Sequence, residues 1–383
     1  IGAWGEGDRP EITSYADGYL NNNTSSNIVL QDLHFSGGYR VLSTENIIFD
    51  GIKVTDEQLV TMHSSGVTVR NSEFYDNTTD ASKSDGDTWV GHLDRQQGYF
   101  ANYNEGMLIE GLFLDHNGWE DGYDPYGSVD DPMPPSMYSH NLYFGTSIDD
   151  LTARDIISMR GSATGLLLRS GGFYEDLVLI DNNSGIVFKG GDHADEGQTG
   201  YYTLLTDSLV TSGGHRWSDI TNGGLTFGVR DEGELTSLVD NIVTHLADPN
   251  NQAEQDAKTT THDGLTNENP YYNDTIVYNW EYDEPGSDQN TEGLDTAVLD
   301  QTTIQNFTAQ LLGKPDATIA DLADYLRAQG DGAFDDVVDA DLILRFFQEG
   351  FGVEADIRGV DTMLRFEPND LAEGVRWDNR LNW

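Results

Sequence analysis

The sequence contains no cysteine and only five lysines, and these shortages exclude several classes of function. Without cysteine the chain forms no disulfide, carries no thiolate nucleophile and builds no thiolate zinc site. No apolar run approaches the roughly 20 residues that a membrane-spanning helix needs. Basic residues number 20 against 67 acidic ones, for a formal net charge of −47. Such a charge repels phosphate backbones and anionic lipids, so we expect neither nucleic acid nor a membrane surface as a partner.

The acidic excess is spread along the whole chain, and two explanations fit it. One is a solvated carboxylate surface suited to high salt, where screening makes self-repulsion tolerable. The other is a set of cation-binding loops. The even distribution favours the first explanation and predicts a halophilic or marine protein.

Short strands that recur at a fixed period are the most informative feature of the sequence. Each copy begins with Asn or Gly, continues with about three β-formers and a polar pair or glycine, and ends in another short apolar strand. Copies begin at Asn27, Asn46, Gly66 and Gly106, so successive starts lie 19, 20 and 40 residues apart. The pattern returns at 151–157, 174–180, 203–210 and 237–243.

Strands this short bury a face only when copies stack on one another and build a continuous core. The repeat therefore predicts an all-β fold, a right-handed parallel β-helix (solenoid). A β-sandwich would need hairpin turns and would give no reason for the fixed period. Longer intervals predict loops that project from the coils at 76–97, 116–139, 190–201 and 246–273, where function tends to concentrate.

From about residue 300 the pattern becomes helical. We therefore expect a β-helix over 1–299 and a small helical C-terminal appendage over 300–383. Thr318 and Asp321 have the spacing of a capping box, which predicts a helix start. A second helix is predicted over 339–347, ended by Gly350. The aspartates of this region lack the spacing of an EF-hand.

Aligning the later coils by their apolar strands brings cationic residues together. The aligned segments are 141–145, 165–169, 185–189 and 224–228. Period-two alternation sends one set of side chains inward: Leu142, Phe144, Leu166, Leu168, Ile186, Phe188, Leu225 and Phe227. Tyr143, Arg169 and Lys189 then point outward on one face, with His140 at a strand start. Arg169 and Lys189 become neighbours about 4.8 Å apart along the stack, which indicates either an anionic substrate or neutralisation by nearby Asp or Glu.

A uronic acid is the substrate that suits this cationic pair. Neutralising its carboxylate acidifies the adjacent C5 proton, because the intermediate is enolate-like. A base then removes that proton, and an acid protonates the leaving glycosidic oxygen. His140 is suited by its near-neutral pKa, and Tyr143 or Lys189 would be suited if neighbouring cations lowered its pKa. The predicted catalytic residues are His140, Tyr143, Arg169 and Lys189.

The loop that precedes this strand is rich in aromatic and acidic residues. Its aromatic rings could stack on sugars, or they could form a local hydrophobic plug. Asp121 and Asp124 could bind Ca²⁺ or act as carboxylate catalysts. Arg216 and Trp217 are further outward candidates, whereas we expect His34 and His245 to be structural. The predicted substrate-binding residues are His116, Trp119, Tyr123, Tyr126, Arg216 and Trp217.

Over roughly residues 20–290 the chain resembles the pectate-lyase-like superfamily of right-handed β-helices. The resemblance rests on the coil pattern, on Ser139 to Tyr143, and on 165–172 and 185–191. The superfamily includes polysaccharide lyases, glycoside hydrolases, C5 epimerases of the alginate type and phage tailspike depolymerases. Tyr123 to Tyr126 is similar to the Asp-Pro-His-Glu motif of alginate epimerases but lacks its His and Glu.

The resemblance implies a secreted enzyme that cleaves a uronate-containing polysaccharide by β-elimination, with Ca²⁺ as a candidate cofactor. A glycoside hydrolase or a C5 epimerase on the same scaffold is the alternative within the enzymes. A non-catalytic adhesin or tailspike-like protein is the alternative outside them, and a trimer would support the tailspike version.

Overall fold

The structure is a computed structural model. It describes residues 1–3, 7–13, 19–21, 25–78, 83–84, 88–89, 96–123, 132–189, 202–213, 228–232, 236–246, 265–267, 271–273, 275–278, 291, 293–334 and 337–353. Contacts divide the chain into two compact units, Ile1–Thr291 and Glu292–Trp383.

The first unit consists mainly of two parallel sheets. The strands of the fifteen-stranded sheet are β1 (Glu11–Ile12), β3 (Ser26–Gln31), β4 (His34–Ser36), β6 (Glu45–Asp50), β7 (Lys53–Thr55), β9 (Ser65–Tyr75), β13 (Asn104–Asp115), β15 (Ile148–Met159), β17 (Gly172–Ile180), β19 (Thr203–Thr206), β20 (Leu209–Thr211), β22 (Thr236–Val239), β23 (Ile242–Thr244), β25 (Tyr271–Asn273) and β26 (Ile276–Tyr278). The strands of the nine-stranded sheet are β2 (Tyr19–Asn21), β5 (Tyr39–Leu42), β8 (Leu59–Met62), β12 (Tyr99–Asn102), β14 (His140–Phe144), β16 (Thr164–Leu168), β18 (Ser184–Lys189), β21 (Val229–Glu232) and β24 (Leu265–Asn267). A separate antiparallel pair joins β10 (Lys83–Ser84) and β11 (Thr88–Trp89).

The chain alternates between the two large sheets, and neighbouring strands within each sheet come from successive coils. The first four sequence copies lie in register, with Ile28 beside Ile47, then Val67, then Met107. This stacking is the arrangement that the repeat predicts, and it is consistent with a parallel β-helix.

Side chains that face inward from both sheets form one continuous core. Leu142, Leu166 and Ile186 occupy one level of it, and Phe144, Leu168 and Phe188 occupy another. All six are buried, as period-two alternation predicts. Each such side chain contributes on the order of 1.5–3 kcal/mol when removed from water, so the stack is stabilised along its whole length.

Buried asparagines satisfy the backbone at one corner of the coils. Asn141 has no solvent exposure, and its Nδ2 donates to the Met159 carbonyl at 2.7 Å and to Ser158 Oγ at 2.9 Å. Its Oδ1 accepts from Asn117 Nδ2 at 2.8 Å, and Asn182 Nδ2 donates to the Ser158 carbonyl at 2.9 Å. Side-chain amides thus supply partners where the strands leave backbone groups without a ladder.

The second unit contains four helices among its described residues: α1 (Thr296–Leu299), α2 (Ile304–Leu312), α3 (Ile319–Gly330) and α4 (Ala340–Phe351). The predicted capping box is present at the start of α3, where Thr318 and Asp321 bond reciprocally. Hydrogen bonds from the Lys314 ammonium, and then from Thr318, lower the pKa of Asp321 to about 2.

The predicted end of α4 at Gly350 is wrong, because the helix continues to Phe351 and is capped by Gly352 in the left-handed conformation. Gly350 instead lets the helix approach Thr302, since a Cβ at this position would overlap the Thr302 side chain. A glycine near a helix end is therefore a packing contact here. None of the described helices is long and apolar enough to cross a membrane.

Candidate active site

The outer side of the nine-stranded sheet carries a row of side chains, one from each coil. Strand pairing places them in the order Arg40, Val60, Phe100, Tyr143, Leu167, Val187 and Arg230. The row is aromatic and aliphatic in its middle and has an arginine near each end. We call these seven residues, together with Arg169 and Lys189, the outer face of the nine-stranded sheet.

Arg169 and Tyr143 contact each other on this face. The Arg169 guanidinium donates from Nη1 to the Tyr143 hydroxyl at 3.3 Å, and the Arg169 backbone N–H donates to the Phe144 carbonyl at 2.9 Å. Because the hydroxyl oxygen accepts from Arg169, its own proton is available to a ligand. The Tyr143 ring also packs edge-to-face on Phe100, with ring centroids 5.0 Å apart.

Lys189 lies one coil beyond Arg169. Leu168 pairs with Phe188, so the two cationic residues that follow them occupy adjacent positions, about 4.8 Å apart along the stack. The predicted register of these strands is therefore observed. Glu232 takes the register position beyond Lys189, so an acidic residue adjoins the cationic pair on one side.

His140 lies close to this group but is 4% exposed. Its Nδ1 shares a hydrogen bond with Thr164 Oγ1 at 2.8 Å, and its backbone N–H donates to Gln97 at 2.7 Å. The ring contacts Tyr143 edge-to-face at 5.4 Å. His140 is therefore better placed to support Tyr143 than to reach a ligand directly.

The predicted alignment of 224–228 below this strand is wrong. Ile186 pairs with Val229, so the segment that continues the sheet is Val229–Glu232. Asp231 consequently takes an inward position, where it is 4% exposed and accepts from Thr236 Oγ1 at 2.9 Å. An apolar alternation in the sequence cannot identify a strand whose inward residue is a carboxylate. Residues 225 and 227 lie outside the described residues.

The outer side of the fifteen-stranded sheet has a different charge pattern. Successive coils present Asp50, Arg70, Glu110, Arg154 and Glu175 in one row. Arg70 contacts Asp50 at 2.9 Å, and Arg154 contacts Glu110 at 2.7 Å. Burial raises the pKa of Asp50, but hydrogen bonds from Arg70 and Asn71 outweigh that effect and lower it. Opposite charges alternate along this row, whereas Arg169 and Lys189 place like charges side by side.

The predicted aromatic loop begins with a buried plug. Trp119 is 8% exposed, and its indole N–H donates to the Arg160 carbonyl at 2.8 Å. Its ring packs on His116, whose Nδ1 contacts Asp76 at 2.8 Å and whose Nε2 lies 3.3 Å from Asp121. These contacts match the packing interpretation of the loop, and Trp119 presents little surface to a sugar.

Of the remaining predicted site residues, the structure describes only Tyr123. Tyr123 lies within this loop and is half-buried. Asp124, Tyr126, Arg216 and Trp217 lie outside the described residues. Within the part of the chain that the structure describes, no three His, Asp or Glu side chains cluster as a metal site would require.

Two features of the nine-stranded sheet were not predicted from the sequence. One is Phe100 on its outer face, which the alternation after the buried Tyr99 could have identified. The other is a stack of two rings, His63 and Tyr103, at the edge where Arg169 and Lys189 leave the sheet. Each of these rings follows a strand directly, at a corner that apolar patterning does not resolve.

Comparison with known proteins adds little to this geometry. No protein-family model matches the chain, and no curated protein matches it. Among solved structures, the family 28 exopolygalacturonase of Yersinia enterocolitica is similar over 66% of this chain at 11% identity, with a TM-score of 0.18. The match spans 46% of that enzyme. A likeness this weak carries no argument about function.

Proposed function

We propose that this chain binds an acidic polysaccharide on the outer face of the nine-stranded sheet and cleaves it at uronate residues by β-elimination. The observation that carries the proposal is the contact between Arg169 and Tyr143 beside Lys189, in a chain whose net charge is −47. Adjacent cations of this kind favour an anionic ligand.

The neighbouring side chains suit a sugar polymer. Phe100 and Tyr143 provide aromatic rings and Leu167 provides an apolar side chain, and all three are partly exposed. Sugar rings have apolar C–H faces that pack on such surfaces, while their carboxylates require cations. The row follows the coils, so a linear polymer could lie along it.

In the proposed reaction Arg169 contacts the uronate carboxylate and stabilises the negative charge that develops on it. The C5 proton passes to a base, the electron pair forms the C4–C5 double bond, and the C4–O bond breaks. Tyr143 donates its hydroxyl proton to the departing oxygen. We assign the C5 base to Lys189, which would act in its neutral form.

We further infer that the coil is right-handed, as crossover connections between parallel strands nearly always are. We also propose that the protein acts outside the cell, where acidic polysaccharides are found, and that high salt is its working condition.

The first test is a screen of polygalacturonate, alginate and other acidic glycans, with and without chelator, at low and high salt. A lyase generates ultraviolet absorbance from the new conjugated double bond. New reducing ends without that absorbance would indicate a hydrolase with an Asp or Glu pair, and altered uronate composition without chain scission would indicate an epimerase. Binding with unchanged viscosity would indicate an adhesin. A chain that binds none of these glycans would overturn the proposal.

Substitutions then test the assigned residues. Arg169→Gln removes a charge-assisted hydrogen bond and should weaken glycan affinity about 10- to 100-fold. Tyr143→Phe keeps the ring and removes the proton, so we expect turnover to fall at least about 100-fold while affinity changes little. Arg154→Gln, on the fifteen-stranded sheet, is the matched control and should change neither quantity.

A further inference from the structure

We propose that His63 and Tyr103 form an aromatic platform on which a second sugar ring of the bound glycan stacks, two coils away from Arg169. This inference rests on the proposed function and assigns a binding subsite to residues outside the proposed reaction.

The two rings are stacked in parallel. Their centroids lie 4.7 Å apart with an interplanar angle of 5°. This separation equals the spacing between coils, so the rings lie across the direction of the stack. His63 covers one face of Tyr103, yet Tyr103 is still 40% exposed. A large ring is thus held in a fixed orientation and remains open to solvent.

The backbone conformation at this corner is unfavourable for a tyrosine. Tyr103 has φ 53° and His63 also has φ 53°, in the left-handed region that bulky residues rarely adopt. Asparagine is accepted there more easily, and this chain uses it at Asn27, Asn46 and Asn71. Tyr103 is exposed and lies outside the hydrophobic core, so core packing does not explain its presence. Strained residues of this kind cluster at functional sites.

Asn102 holds the platform in place. Its Oδ1 accepts from the Tyr103 backbone N–H at 3.0 Å and from the Ser147 N–H at 3.1 Å. One amide therefore joins the corner that carries Tyr103 to the corner of the next coil. The ring position does not depend on a flexible loop.

The platform and the cationic pair lie along one edge of the nine-stranded sheet. Asn102 precedes Tyr103, Gly145 continues the same ladder in the next coil, and Arg169 continues it in the coil after that. A Cβ at Gly145 would overlap the Asn102 side chain, so this coil presents no side chain between Asn102 and Arg169 in that row. Thr146 and Ser147 follow Gly145 at the corner of that coil. Both are small polar residues, so this coil adds no third aromatic ring to the stack of His63 and Tyr103.

Two coil steps separate Tyr103 from Arg169 by about 10 Å along the stack. A sugar ring on the open side of Tyr103 would take the level of Gly145, with the carboxylate of the following unit near Arg169. The hydroxyl group of Thr146 could donate to or accept from that ring. The ligand is therefore an oligomer of at least two uronate units, since a single sugar cannot reach both positions.

The experiment measures the affinity of uronate monomers and hexamers, from polygalacturonate and from alginate, for the wild-type chain and four variants. Tyr103→Asn removes the ring and suits the left-handed backbone, so it should fold with an unchanged or higher melting temperature. We expect it to bind the hexamer about 10-fold more weakly and the monomer, which Arg169 alone can hold, with unchanged affinity. Tyr103→Phe keeps the ring and should bind both ligands as the wild type does.

Phe334→Ala is the matched control, because Phe334 is 41% exposed and stacks on Tyr325 in the helical unit. It should leave both affinities unchanged. If Arg169→Gln weakens hexamer binding and Tyr103→Asn does not, the platform is refuted and the proposed function survives. If the wild-type chain binds no uronate hexamer, the proposed function fails and this inference fails with it.

Discussion

Replacing Asn141 by alanine should destabilise the first unit strongly, although the residue lies outside the proposed reaction. The Asn141 side chain donates to the Met159 carbonyl at 2.7 Å and to Ser158 at 2.9 Å. It accepts from the side chain of Asn117 at 2.8 Å and from its backbone N–H at 3.3 Å. Each lost bond costs about 1 kcal/mol when a buried partner is left unsatisfied. Four such bonds give a loss of about 4 kcal/mol, at the upper end for one substitution.

Urea unfolding followed by circular dichroism measures this loss as a shift of the transition midpoint at constant slope. Asn71→Gly is the control, because Asn71 is exposed and glycine accepts its left-handed backbone; it should change the free energy of unfolding by less than about 1 kcal/mol. A similar small change for Asn141→Ala would contradict the reasoning, since it would mean that the buried asparagines do not hold successive coils together.

Other expected outcomes concern single residues of both units. Asp321 has a pKa of about 2 in the folded chain, below its ordinary value. Its contribution is therefore complete above about pH 4 and is lost as the pH falls through about 2, so Asp321→Asn should lower the melting temperature of the helical unit at pH 7 but not near pH 2. Gly350→Ala should lower that melting temperature at every pH because of overlap, and a neutral result would contradict the close packing of α4. Arg154→Ala removes a surface ion pair with Glu110 and should cost less than about 1 kcal/mol, with the cost falling further in high salt.

The repeat and the core could be predicted from the sequence because both follow from backbone geometry. Alternation fixes which residues of a strand face inward, and the fixed period fixes which coils meet. Leu166 therefore pairs with Ile186 as expected, and Arg169 and Lys189 directly follow the paired residues Leu168 and Phe188. A register error of one residue would have sent the apolar side chains outward.

The departures from prediction occur where polar groups or close contacts decide the structure. Asp231 faces inward beside Thr236, so its strand lacks the apolar alternation of the other strands. The glycine-flanked segment before it, 224–228, has that alternation and therefore gives the wrong alignment. Trp119 is buried, and its indole N–H donates to a carbonyl that is distant in sequence. No local sequence pattern indicates this contact. Tyr103 stacks on His63 across 40 residues of sequence, so only the folded coils bring the two rings together.

In the proposed function, Arg169 recognises the carboxylate of a sugar on the outer face of the nine-stranded sheet. The most direct measurement is the affinity of a uronate hexamer and of its carboxyl-reduced, neutral counterpart for the wild-type chain and for Arg169→Gln. We predict that carboxyl reduction weakens binding to the wild type at least about 10-fold and has a much smaller effect on the variant, because both changes remove the same interaction. Equal effects of carboxyl reduction on the two proteins would contradict the claim.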